Sequence, residues 1–124
     1  MYHRSLLVGK WHRGGKDGEH SYSELAEMSI DGRFLFTFYT FHLDGHLSEQ
    51  VSEIGSWGLV GDIHFTITEE EVVDGKHYAA DMEDEENYHA YKIIELSEEV
   101  FKYQHLVSGE VFTLFRVKQA VQQN

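Results

Sequence analysis

Apolar and polar residues alternate along most of this chain, a period of two that marks β-strands rather than helices. The pattern is cleanest where Ile63, Phe65 and Ile67 alternate with His64, Thr66 and Thr68, as in a half-buried strand. Residues 33–42 are apolar on both faces, with Phe34, Phe36 and Phe38 on one and Leu35, Tyr39 and Phe41 on the other. Such a strand is covered on both sides. One cover is a barrel interior, and the other is a helix, a loop or a second subunit. Further strands are predicted over residues 6–13, 22–30, 46–60, 88–96, 100–107 and 111–118. Within 22–30, Glu24-Leu25-Ala26-Glu27-Met28 are good helix formers, so a short helix competes there with the favoured strand. Segment 46–60 is expected to bend or bulge near Gly55 and Gly58.

Turn signals separate these segments. Asp31-Gly32 is a strong hairpin signal, and Leu43-Asp44-Gly45, Val60-Gly61-Asp62, Ser97-Glu98-Glu99 and Ser108-Gly109-Glu110 turn the chain again. Gly14-Gly15-Lys16-Asp17-Gly18 is read as a flexible loop. Residues 69–87 break the rhythm with two acidic runs around Asp74-Gly75, and this longest connection is where a lid or mobile loop is expected. Short connections force neighbouring strands to be antiparallel. Eight of them lose their free edges by closing into an up-and-down barrel. The predicted fold is therefore all-β, an eight-stranded antiparallel up-and-down β-barrel in a single domain over residues 1–118. The polar tail 119–124 is expected to fray.

Composition narrows the function. The chain has 124 residues, 41% of them hydrophobic and 14% aromatic, which is enough apolar material for a folded core. It has no Cys, which removes disulfides, thiolate metal sites and a cysteine nucleophile. The formal net charge of −12 argues against nucleic acid and anionic membrane surfaces as partners. No stretch approaches the ~20 apolar residues of a membrane helix. The apolar run Leu6-Leu7-Val8 is too short for a signal peptide. A cytoplasmic, bacterial protein is the resulting expectation.

Gly9-Lys10-Trp11 on the first strand resembles the Gly-x-Trp signature of the lipocalin and calycin group. Arg116 on the last strand stands where that group keeps an Arg that packs on the Trp. Leu43-Asp44-Gly45-His46, followed by Gly55-Ser56-Trp57-Gly58-Leu59-Val60-Gly61-Asp62, is similar to bacterial lipocalin-like proteins, in which an Asp-Gly turn precedes a Gly-x-Trp segment and a Gly-Asp turn. The resemblance implies a lipocalin-like barrel. Within it Gly9, Trp11 and Arg116 are a structural signature, since a guanidinium on an indole face would join first strand to last. The chain departs from secreted lipocalins in being shorter, without a disulfide and without a clear C-terminal helix.

An eight-stranded barrel is just wide enough for packed side chains or one small ligand. Alternation places Phe36, Phe38, Tyr91, Phe101 and Tyr103 inward as a ligand-binding lining, and buried Tyr hydroxyls need partners. His105 shares the face of Phe101 and Tyr103, which makes it the sixth residue of the predicted lining and the best haem-ligand candidate among nine His residues. A zinc site with N and O ligands could draw on His77, Asp81, Glu83 and His89, though no known ligand spacing is matched. The run 81–86 lacks the glycine and alternating ligands of an EF-hand loop. No catalytic motif is present, and no cofactor is implied. Three functions follow: a barrel binding a small, largely apolar ligand; a homodimeric interaction module with a filled core; and a metal- or haem-dependent enzyme. An interior cavity above ~300 Å³ favours the first.

Overall fold

The computed structural model describes residues 2–18 and 20–118, so the tail expected over 119–124 lies outside the described residues. One sheet contains the strands β1 (Gly9–Asp17), β2 (His20–Met28), β3 (Arg33–Phe41), β4 (Leu47–Val60), β5 (Ile63–Val73), β6 (Lys76–Ala79), β7 (Tyr88–Leu96), β8 (Val100–His105) and β9 (Val111–Arg116). They run in the order β4-β3-β2-β1-β9-β8-β7-β5-β6, and β4 also pairs with β5. Every pairing is antiparallel. Eight strands thus close a barrel, and β6 lies outside it. No helix among the described residues is long and apolar enough to cross a membrane.

The short-helix alternative for residues 22–30 is overturned, because β2 pairs along its length with both β1 and β3. Its inward residues Glu24, Ala26 and Met28 are buried in strict alternation. Contacts on both flanks outweigh the modest helix preference of that segment. The first strand begins at Gly9 rather than residue 6, and Arg4–Leu6 form a 3-10 turn instead. The expected loop at residues 14–17 is the second half of β1. Gly15 faces Tyr22 of β2, and a Cβ there would meet the Tyr22 hydroxyl at 2.7 Å. The glycines let that ring lie across the strand.

Residues 69–87 are not a free lid. β5 continues to Val73, turns at Asp74-Gly75 and returns as β6. A register shift between Ile54 and Gly55 accommodates an extra residue in β5, and Glu69 then bonds with Arg33 and Ser56. That shift is what breaks the period of two. The second acidic run is held by its own carboxylates. Asp81 accepts from the Glu83 amide and Asp84 from the Glu86 amide, each at 3.0 Å, as Asp does in tight turns. On the outer face of β3, Thr37 is hydrogen-bonded to Ser52 and Tyr39 stacks on Phe41, while Leu35, Tyr39 and Phe41 stay partly exposed.

One half of the barrel is packed solid. Leu7, Trp11, Phe34, Trp57, Phe101 and Leu114 lead an apolar core there, and the 3-10 turn closes that end. β1 and β9 meet through only two residue pairs, Trp11↔Arg116 and His12↔Phe115. The Arg116 guanidinium reinforces this short seam. It lies 4.1 Å from the Trp11 ring centroid, donates to the carbonyl of Val8 at 2.9 Å, and also donates to those of Leu6 and Glu98. Trp11 Nε1 donates to the Leu7 carbonyl at 3.0 Å. Gly9 is required beside it: its φ is +132°, and a Cβ would sit 2.6 Å from the guanidinium. A second cation on a ring, Arg4 over Trp57 at 4.4 Å, seals the same end. Trp11→Ala is therefore expected to cost about 3–5 kcal/mol and to lower Tm by roughly 10–20 °C. Calorimetry checks this, and an unchanged Tm would show that the seam does not hold the barrel shut.

Candidate functional site

The other half of the barrel is hollow. A cavity of about 210 Å³ lies above the packed core, and all eight barrel strands contribute to its wall. That is short of the ~300 Å³ at which drug-sized pockets begin. It holds roughly seven waters or one small organic molecule.

Four of the six residues predicted for the lining reach it: Phe36, Phe38, Tyr91 and Tyr103. Phe101 does not, because it is one step deeper, 1% exposed and 5.6 Å from the Trp11 ring centroid. His105 sits one step beyond the lining, its ring 5.1 Å from Tyr91 and its Nε2 3.1 Å from Nδ1 of His89, which does line the cavity. The Nδ1 of His105 accepts from the amides of Val107 and Ser108, each at 3.1 Å. An acceptor there has no proton, so Nε2–H donates to His89. This double engagement at a hairpin turn leaves His105 no nitrogen for haem iron.

The polar lining is what sequence reasoning missed. In β5 the polar set is the inner one: His64, Thr66 and Thr68 point inward and are buried, while Ile63, Phe65 and Ile67 face outward. Phe65 covers the bare backbone of Gly58 on β4, where a Cβ would collide with its ring. Arg13, Glu24 and Glu53 also line the cavity, from β1, β2 and β4. The available signal was strand parity. These polar residues fall at inward positions, in step with Trp11, Ala26, Met28 and Trp57.

Arg13 Nε donates to Glu24 Oε1 at 2.7 Å, and the guanidinium lies over the Phe112 ring at 5.0 Å. Burial raises the Glu24 pKa more than Arg13 lowers it. At Arg13 burial also opposes the charge, but the hydrogen bond and charge of Glu24 prevail, and its pKa is raised. The difference follows exposure, since the Glu24 side chain is 8% exposed and that of Arg13 25%. Glu53 accepts from the Thr68 hydroxyl at 2.9 Å.

His64 is the most deeply enclosed titratable group facing the cavity. It packs among the rings of Trp57, Tyr91, Phe101 and Tyr103. Burial pushes its pKa down to about 4, against the opposing hydrogen bond to the Gly58 carbonyl. That carbonyl can only accept, so Nδ1 carries the proton and Nε2 is a bare acceptor. Burial pushes Tyr91 up to about 12 and Tyr103 well above its ordinary value, and the charges of Glu24 and Glu110 add to both.

The sequence matches no protein-family model. A search of curated proteins finds none similar to it. The site is therefore read from its own geometry. Among the described residues, no three His, Asp or Glu side chains gather as metal ligands do. The zinc set considered from sequence is split, with His77 paired to Glu70 across β5 and β6 and His89 in the barrel.

His64 gives a pH signature. The unfolded chain takes up a proton on this residue near pH 6.5, whereas the folded site refuses it until about pH 4. Its contribution to stability is full above pH ~6.5 and is lost as pH falls toward 4, a change on the order of 3 kcal/mol. Denaturant unfolding across this range should show the wild type losing on the order of 3 kcal/mol more stability than His64→Phe as the pH falls toward 4. Parallel curves would show that His64 is not buried neutral.

Proposed function

We propose that this protein binds one small molecule in the hollow half of its barrel, with an apolar body against the aromatic wall and a polar head on the buried hydrogen-bonding groups. The observation that carries this is the composition of the cavity. Phe36, Phe38, Tyr91 and Tyr103 share it with Glu24, Glu53 and His64. A barrel selected only for stability fills such a space with interlocking aliphatic side chains. Buried polar groups in place of packing cost stability unless they are used. The closed barrel, Gly9-Lys10-Trp11 and the Arg116 stack also fit a lipocalin-like reading, in which the barrel interior is the binding site. The ligand is smaller and more polar-headed than the aromatic residues alone imply.

Ligand-observed NMR with molecules of about 6–12 non-hydrogen atoms tests this, using amines, carboxylates and neutral compounds. Saturable binding is expected in the millimolar to micromolar range. Thr66→Phe, which projects a ring into the cavity, should abolish binding while the variant remains folded by circular dichroism. Equal binding by that variant, or no saturable binding by any compound, would overturn the proposal.

A further inference from the structure

We infer that the molecule this cavity accepts is a small organic cation, an amine carried as its ammonium, seated between the Glu53 carboxylate and the aromatic wall. This rests on the reading of the cavity as a binding site and names the chemistry of its occupant.

The charges inside the barrel do not balance. Arg13 is the one cationic side chain among the lining residues, and Glu24 engages it directly. Glu53 is the second carboxylate on the wall. One of its oxygens accepts from Thr68, a neutral hydroxyl, and no cation of the described residues pairs with it. The lining thus holds two carboxylates, Glu24 and Glu53, against one guanidinium, and Glu53 is the carboxylate that the guanidinium does not engage.

The hydrogen-bonding groups lean the same way. His64 Nε2 is an acceptor with no donor among the described residues. No fully buried side-chain nitrogen or oxygen among them lacks a partner, so this atom meets open space on the cavity side. A ligand that brings N–H donors satisfies Glu53 and His64 together. A carboxylate ligand would bring a further negative charge beside Glu53 and no donor for His64 Nε2.

The aromatic wall suits a cation as well. A positive group over a ring face gains roughly 0.5–2 kcal/mol, more as water is excluded. The chain already uses its rings this way, since Arg13 lies over Phe112 at 5.0 Å and over Tyr22 at 5.4 Å. Phe38 lines the cavity with no ring or cation stacked on it among the described residues, and Phe36 and Tyr91 stack on neighbouring rings without carrying a cation. The rise in the Tyr91 pKa comes partly from the charges of Glu24, Glu53 and Glu110, which mark the field as negative. A metal ion is a poorer fit, because three ligands do not converge among the described residues. The net charge of −12 draws cations toward the protein from a distance.

Three probes of one shape separate charge from fit: benzylamine, benzyl alcohol and benzoate. Their Kd values are measured by NMR titration at pH 7 and low salt, for the wild type and for Glu53→Gln. The structure predicts that benzylamine binds at least tenfold more tightly than benzyl alcohol, and that benzoate binds more weakly than either. Glu53→Gln should reduce the amine preference to about threefold or less, with Tm and far-UV spectrum showing that the variant is folded. Nα-acetyl-lysine methylamide presents the same ammonium on a peptide. Tighter binding of benzylamine assigns the site to free amines, and the reverse assigns it to a lysine side chain. Wild-type binding of benzyl alcohol or benzoate as tight as that of benzylamine would overturn the cation assignment and leave the cavity as a binding site. An amine preference that survives Glu53→Gln would overturn it equally. Absence of binding by these probes and by the whole small-molecule panel would remove the binding reading itself.

Discussion

The stacking of the Arg116 guanidinium on Trp11 is the contact on which the rest of the barrel depends. A meander of antiparallel strands leaves its first and last strands exposed unless they find each other. Here they meet through two residue pairs, too few to hold a barrel closed by backbone ladder alone. Arg116 compensates by working in several directions at once. Its planar fork donates to carbonyls of the entering chain and of the β7–β8 turn while its face rests on the indole. Gly9 has no side chain because the guanidinium takes the space a Cβ would need.

The seam also explains why the barrel has two unlike halves. Near Trp11 and Arg116 the strands are drawn together, and Leu7, Phe101 and Leu114 fill the interior almost without exposure. Beyond His12, β1 and β9 no longer pair, and Arg13 lies against Phe112 in that region. The interior there is lined by side chains that bond one another and leave room between them. A filled core and a hollow site, which stand as alternatives in the sequence, are stacked end to end in one barrel.

Strand order, the Gly-x-Trp element and the partnership of Trp11 with Arg116 were legible in the sequence because each follows from local pattern. Period two marked the strands, and Asp-Gly marked hairpins. The interior was less legible, for a physical reason. Alternation reports that a strand has two faces but not which one faces in. In β5, Ile63, Phe65 and Ile67 cover the outside, where Phe65 shields Gly58, and His64 and its threonines take the inside. The rule that apolar residues point inward fails where the inside is a polar cavity. Phe101 and His105 share a face with Tyr103, but depth along the barrel was not readable: one belongs to the core and the other to a hairpin turn. The acidic run 81–86 resembled a mobile loop because its carboxylates were read as solvated charges. Two of them, Asp81 and Asp84, are also hydrogen-bond acceptors that fix the turn.

Nuclear Overhauser measurements on the Arg116 side chain address the closure most directly. A closed seam places its δ-methylene protons over the Trp11 indole, with cross-peaks to the ring protons and resonances moved well upfield of their random-coil positions. Cross-peaks between the backbones of Trp11 and Arg116 should accompany them. Random-coil shifts for Arg116, with no contact to Trp11, would mean that the first and last strands are apart, that the sheet is open, and that the barrel holds no such cavity.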